Sequence, residues 1–139
     1  MQLNLFSMRF FWFFWFFWFF CFFSFDSIAH SQSPIKVKDI SLYPQYKAKI
    51  NVGNESDDAT LFDIELNGMI IETDFKVGPK KIRSYHVIIK DIAPNRVSLN
   101  KVCSISKPDG VYTIRTRICT EIRVIYPKDR INSLEGFDL

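Results

Sequence analysis

From Lys47 to Val52 polar and apolar residues alternate without a break, with Ala48, Ile50 and Val52 set between Lys47, Lys49 and Asn51. A period of two places one face of an extended chain in a core and the other in water; a helix, which repeats every 3.6 residues or about that, cannot satisfy it. The pattern returns at Phe62, Ile64 and Leu66 beside Asp63, Glu65 and Asn67. It runs longest from Tyr112 to Tyr126, where Ile114, Thr116, Ile118, Thr120, Ile122 and Val124 alternate with Arg115, Arg117, Cys119, Glu121 and Arg123. Whatever this chain folds into is built from half-buried strands.

Further strands are expected at Ile35–Leu42, Met69–Phe75, Ile82–Ile92 and Val97–Ile105. The first changes phase, Val37 being apolar and then Ile40 and Leu42, which implies a bend or bulge where the strand changes partner. Turn signals separate the segments: Asn67-Gly68, Gly78-Pro79, Ala93-Pro94-Asn95 and Lys107-Pro108-Asp109-Gly110. Seven short strands in roughly a hundred residues, with no credible helix among them, predict an all-β fold: a seven-stranded antiparallel immunoglobulin-like sandwich.

The chain has 139 residues, of which 47% are hydrophobic and 24% charged. That is one domain's length and too much core material for a disordered chain. The average conceals two regions, because most of the 15 Phe and all 3 Trp lie before residue 27. From Phe10 to Phe25 the sequence reads FFWFFWFFWFFCFFSF, with Arg9 before it and Asp26 after it. As a helix it would reach about 24 Å, short of the roughly 30 Å hydrocarbon core of a bilayer, and it fits the apolar stretch of a signal peptide. Ala29-His30-Ser31 supplies small residues where a signal peptidase reads them, so the expected boundaries are a signal peptide over 1–31, a folded domain over 32–127 and a tail over 128–139. The competing readings are an uncleaved anchor and a lipoprotein; Phe20 before Cys21 opposes the second.

Residues 1–31 hold one base, Arg9, and one acid, Asp26, so the remainder keeps the +3 net charge of the whole. With no basic run longer than Lys80-Lys81, nucleic-acid binding is not expected. Export places the chain in an oxidising compartment, where Cys103 and Cys119 form an even pair that could bridge or stay as two buried thiols. His86 is the one histidine left after cleavage at residue 31, which excludes a multi-histidine metal site and leaves no partner for a nucleophile. Glu55-Ser56-Asp57-Asp58 lacks the ligand spacing of a calcium loop and reads as a solvated turn. No enzyme activity, cofactor or metal is expected.

The final strand carries more information. At about 3.3 Å per residue Tyr112–Tyr126 would extend near 45 Å, longer than a small sandwich covers. Such a strand is either an ordinary edge strand continued by a hairpin arm or an open edge that pairs with a strand from another protein.

Ile35–Asn54, with Lys38, Tyr43-Pro44 and the alternating Ile50-Asn51-Val52-Gly53-Asn54, resembles the first two strands of PapD-like periplasmic chaperones of the chaperone–usher pilus pathway. Thr120-Glu121-Ile122-Arg123-Val124-Ile125-Tyr126-Pro127 resembles the close of the same domain, and Gly78-Pro79-Lys80-Lys81 fits its middle. The resemblance implies an N-terminal immunoglobulin-like chaperone domain that lends a strand to an incomplete pilus or fimbrial subunit in the periplasm, with an outer-membrane usher as a further partner. It implies Lys38 and Arg123 as the basic pair that anchors the subunit's C-terminal carboxylate, and Ile114, Thr116 and Ile118 as the strand residues set into the subunit. Charge-assisted hydrogen bonds suit that anchoring, because a carboxylate entering a cleft loses water.

There are departures. The family's second domain has no counterpart in the twelve residues KDRINSLEGFDL after Pro127. His86 stands where an arginine is common, and Leu99-Asn100-Lys101-Val102-Cys103 replaces an aromatic run. Some members join their last two strands by a disulfide, and Cys103 and Cys119 fall on those strands; a tight turn at Pro108-Asp109, however, would set Cys119 opposite Ser98. The alternative readings are a membrane-tethered structural domain and a truncated chaperone remnant.

Overall fold

Ala48, Ile50, Val52, Phe62, Ile64, Val87, Ile122 and Val124, the alternating residues of four separate segments, are all at most 1% exposed and meet in one core. The computed structural model describes residues 30–108 and 114–135. The apolar run Phe10–Phe25 and the expected signal helix lie outside the described residues, as do 109–113 and 136–139. The described strands are β1 (His30–Ser33), β2 (Lys36–Ile40), β3 (Tyr46–Asn54), β4 (Thr60–Leu66), β5 (Met69–Val77), β6 (Lys81–Ile89), β7 (Val97–Ser106) and β8 (Arg117–Ile125), followed by the helix α1 (Lys128–Glu135).

They form two sheets packed face to face, one of order β1-β3-β6 and one of order β2-β8-β7-β4-β5. The sandwich is all-β, as the alternation requires, but it departs from the expectation in four places. Among the described residues there are eight strands and not seven. The added one, β1, is the polar segment His30-Ser31-Gln32-Ser33, whose lack of apolar alternation hid it. The pairing of β2 with β8 is parallel, Lys36 opposite Glu121 through Ile40 opposite Ile125, whereas the other ladders are antiparallel. The change of partner falls at Pro34, between β1 in one sheet and β2 in the other, upstream of the phase slip. The segment after Pro127 forms α1: Asn95 accepts from the Asp129 N–H and donates to the Asp129 carboxylate, satisfying a first-turn amide.

The last strand is shorter than its pattern. It covers Arg117–Ile125, nine residues or about 30 Å, and Thr116 continues its pairing only through the Ser106 hydroxyl and one backbone bond from Ser106 N to Thr116 O. Cys103 sits opposite Cys119, so the connection is wider than a tight turn at Pro108-Asp109, and the two sulfurs are bonded. At the other hairpin Asn67 and Gly68 both adopt positive φ, 51° and 90°, the type I′ geometry that suits a two-residue link between twisted strands.

A polar layer closes one end of the core. Gln32, 7% exposed, spans the two sheets: its amide nitrogen donates to Val102 O at 2.9 Å and Thr120 Oγ1 at 2.7 Å, and its oxygen accepts from Ser104 N at 2.9 Å and Ser104 Oγ at 2.6 Å. Thr120 in turn donates to Pro34 O at 2.6 Å. Beside it the His30 ring contacts Ser104 Oγ through Nε2 and Thr116 Oγ1 through Nδ1, both at 2.7 Å, and lies 4.9 Å from the Phe62 ring. Because the Ser104 proton goes to Gln32, Ser104 accepts from Nε2–H, which assigns Nδ1 as the acceptor. Burial holds the His30 pKa below its ordinary value, in keeping with this neutral form. Gln32→Leu would remove four buried hydrogen bonds at once and leave the Ser104 hydroxyl without the acceptor for its proton. It should lower stability by roughly 2–4 kcal/mol, read as a fall in urea midpoint with an unchanged denaturant slope.

Candidate functional site

Three rows of side chains cross β2, β8 and β7 on the outer face of the five-stranded sheet. Register sets Lys36, Glu121 and Lys101 in one row, Lys38, Arg123 and Leu99 in the next, and Ile40, Ile125 and Val97 in the third. The strands therefore bring Lys38 and Arg123, far apart in sequence, directly opposite one another. They line an open groove of about 580 Å³ together with Asp39, Ile40, Val97, Val124 and Ile125. Its apolar side is accessible, Ile40 being 62% and Val97 60% exposed.

The charges around the groove leave it cationic. Asp39 is turned to other partners: Ile40 N donates to its Oδ1 at 2.8 Å and the Tyr46 hydroxyl to its Oδ2 at 2.7 Å. Among the described residues Lys38 has no ion-pair partner. Arg123 uses only Nε, donating to Glu121 Oε1. That hydrogen bond holds the Glu121 carboxyl below the usual carboxylate range, with further help from the charges of Arg123, Lys36 and Lys101 against the opposing effect of burial. The two terminal nitrogens of the guanidinium make no bond to a described residue, and they form the planar fork that takes a carboxylate. Like charges directly opposite on neighbouring strands repel. An anion between Lys38 and Arg123 removes that cost.

The groove adjoins an open edge. β2 covers β8 only from Glu121 onward, with Ile35 O accepting from Glu121 N, so among the described residues no strand lies beside Arg117–Thr120 on the side away from β7. Of the strand residues singled out in the sequence, Ile114 is 79% exposed, Ile118 is half-buried at the mouth of the core, and the Thr116 hydroxyl is held inside by His30 and Ser106. Opposite this edge the cystine Cys103–Cys119 ties β8 to β7, flanked by the Arg117–Glu65 ion pair. His86 stands exposed on β6, away from the groove. Sequence reasoning missed Glu121 and Asp39 as the groups that orient this groove. It also missed Gln32 and His30, although the threonines at 116 and 120 on an otherwise apolar stripe called for polar partners from the facing sheet.

No protein-family model matches the sequence, and no curated protein matches it. Solved structures do. The chain is similar to the Escherichia coli chaperone DraB, at 14% identity and a TM-score of 0.55 over 72% of this chain and 56% of that one. It is similar also to the periplasmic chaperone SfaE, at 15% identity and a TM-score of 0.56 over 70% of this chain and 58% of that one. The chain thus matches somewhat more than half the length of either chaperone.

Tyr46 reports on the groove's charge balance. Burial, then the hydrogen bond and charge of Asp39, push its hydroxyl up to about 12. The neutral phenol is the form the fold favours, so its stabilisation is complete below the ordinary tyrosine pKa near 10 and is lost as the pH rises through about 12. Spectrophotometric titration should show Tyr46 ionising late, with Tyr85 also raised by burial and Glu72, and Asp39→Asn should move the Tyr46 component part of the way back, because burial remains.

Proposed function

We propose that this chain, which has the PapD-like pilus-chaperone fold, is a periplasmic chaperone-like protein of fimbrial assembly that binds an incomplete fibre subunit by strand donation. The observation that carries the reading is the pair Lys38 and Arg123, set opposite each other by the parallel β2–β8 register, with Arg123 engaging Glu121 through Nε alone and Lys38 in no ion pair among the described residues. Beside that pair lies the uncovered edge Arg117–Thr120.

A partner strand laid along this edge in the line of β2 runs parallel to β8, and its C terminus arrives at the start of β2 next to the cationic pair. Main-chain hydrogen bonds to the open edge supply affinity without regard to sequence, and pockets for alternate side chains supply selectivity. Ile114 and Ile118 provide apolar area, while Thr116, whose hydroxyl faces His30, contributes mainly backbone. The carboxylate fixes register: Arg123 offers its terminal nitrogens, Lys38 a point charge, and Glu121 keeps the guanidinium oriented. The chain acts by binding alone, without catalysis or cofactor. An outer-membrane usher is a further partner on this reading.

The test is co-expression with a fibre subunit and titration with a peptide of that subunit's C-terminal strand, as free acid and as amide. Each charge-assisted bond is worth about 1.5–3 kcal/mol, so Arg123→Ala should weaken the free acid by at least about tenfold. The amide should bind wild type about as weakly as the acid binds the variant, and Lys38→Ala should act in the same direction. A polar triple change at Ile114, Thr116 and Ile118 should lower the affinity of acid and amide alike. Equal affinity of acid and amide for the wild type would remove the anchoring role.

A further inference from the structure

The sequence offers two peptide bonds to a signal peptidase, and only one of the two cuts leaves the first strand whole. Such an enzyme reads small residues at the first and third positions before the bond it cuts. Ser31–Gln32 qualifies through Ala29 and Ser31; Ala29–His30 qualifies equally, through Ser27 and Ala29. A cut at the first bond falls in the middle of β1.

We propose that the export signal is removed at Ala29–His30, so that His30 is the first residue of the mature chain. Water adds across that amide: the leader departs with the new Ala29 carboxylate, and His30 keeps the amine, which protonates. The inference rests on the exported reading of the protein, and two observations of the folded chain carry it.

The first is what a cut before Gln32 removes. His30 and Ser31 pair with Asn54 and Gly53 on β3, half of the β1 ladder. The His30 ring joins Ser104 on β7 to Thr116 ahead of β8 and packs on Phe62, which is 0% exposed. Without it Phe62 loses its ring neighbour, and Thr116 loses its link to the first strand. The fit is close here: a Cβ added at Gly53 would come within 2.2 Å of the Ser31 hydroxyl oxygen, so β3 has a residue that leaves room for Ser31.

The second is where each cut places a charge. Cleavage before Gln32 creates an ammonium group on a residue that is 7% exposed with His30 and Ser31 in place and that stands opposite Val52, which is 0% exposed. A buried ammonium without a counter-ion is strongly unfavourable. Cleavage before His30 puts the ammonium at the end of the strand, on a residue only half-buried, and leaves all four β1 pairings intact.

The measurement is the intact mass of the full chain after expression with its own leader and recovery from the periplasm. The expected species begins at His30. Ser27→Leu spoils only the Ala29–His30 bond and should abolish that species; Ser31→Leu spoils only the Ser31–Gln32 bond and should still release a chain beginning at His30. A wild-type mass beginning at Gln32, a retained leader, or undiminished His30 product from Ser27→Leu would each overturn the proposal. Subunit binding is scored separately: capture by a chain beginning at Gln32 overturns the cleavage site and leaves the binding reading standing, and a His30 start without capture does the reverse.

Discussion

The side-chain amide of Gln32 is the constraint on which the arrangement depends. It is contributed by β1 of the small sheet, yet all four of its hydrogen bonds go to β7 and β8 of the large one. An amide that uses both donors and two acceptor positions in a dry interior has one satisfactory placement, and displacing it leaves several buried groups unpaired at once. Thr120 extends the constraint through its bond to Pro34 O, which sets the height at which the chain passes between sheets. β2 therefore enters beside β8 at Glu121 and at no other residue. The facing of Lys38 and Arg123 follows from that entry point, so the cationic groove on the outside of the sandwich is positioned by a polar network on the inside.

Much of the sandwich was legible because burial on one face imposes a period of two, and β3, β4 and β8 obey it at every core position. What escaped has physical reasons. β1 holds no apolar residue, since its inward positions, His30 and Gln32, are satisfied by hydrogen bonds instead of area. Parallel pairing of β2 leaves no local mark, because direction is decided by the crossover at Pro34 and not by the residues of β2. The helix after Pro127 is polar and short, and its first turn is completed by Asn95, remote in sequence. The cysteine register could not be read from the turn residues, since Pro108 and Asp109 do not form the link by themselves. Lys38 and Arg123 came from a resemblance; periodicity alone makes each a surface charge, and only the register makes them a pair.

β8 is held on both of its faces. The cystine fastens it to β7 on the outer side, and Thr120, Ile122 and Val124 fasten it to the core and to Gln32 on the inner side. An edge held this way has little conformational freedom left to lose, and a partner strand that pairs with it is spared part of the ordering cost of association. The edge is uncovered only over the few residues between the start of β8 and the start of β2. Over so short a stretch main-chain pairing by itself is a weak attachment, and an additional anchor is needed to define where a partner strand stops.

On the proposed reading the two cations supply that anchor, and their facing imposes a cost on the free protein. Lys38 and Arg123 repel across the ladder, the one available acid, Glu121, engages only a single guanidinium nitrogen, and Asp39 is bound by Tyr46 and the Ile40 amide. A sheet selected for stability alone would set an acid opposite one of the bases. Retaining two bases face to face makes sense where an anion completes the site, because the repulsion present without ligand becomes attraction when a carboxylate lies between them. Any ligand that binds the folded form alone stabilises it in proportion to the logarithm of its concentration over its dissociation constant. On the proposed reading, a chain terminus bound in the groove would relieve the repulsion between Lys38 and Arg123 and so stabilise this edge of the sandwich.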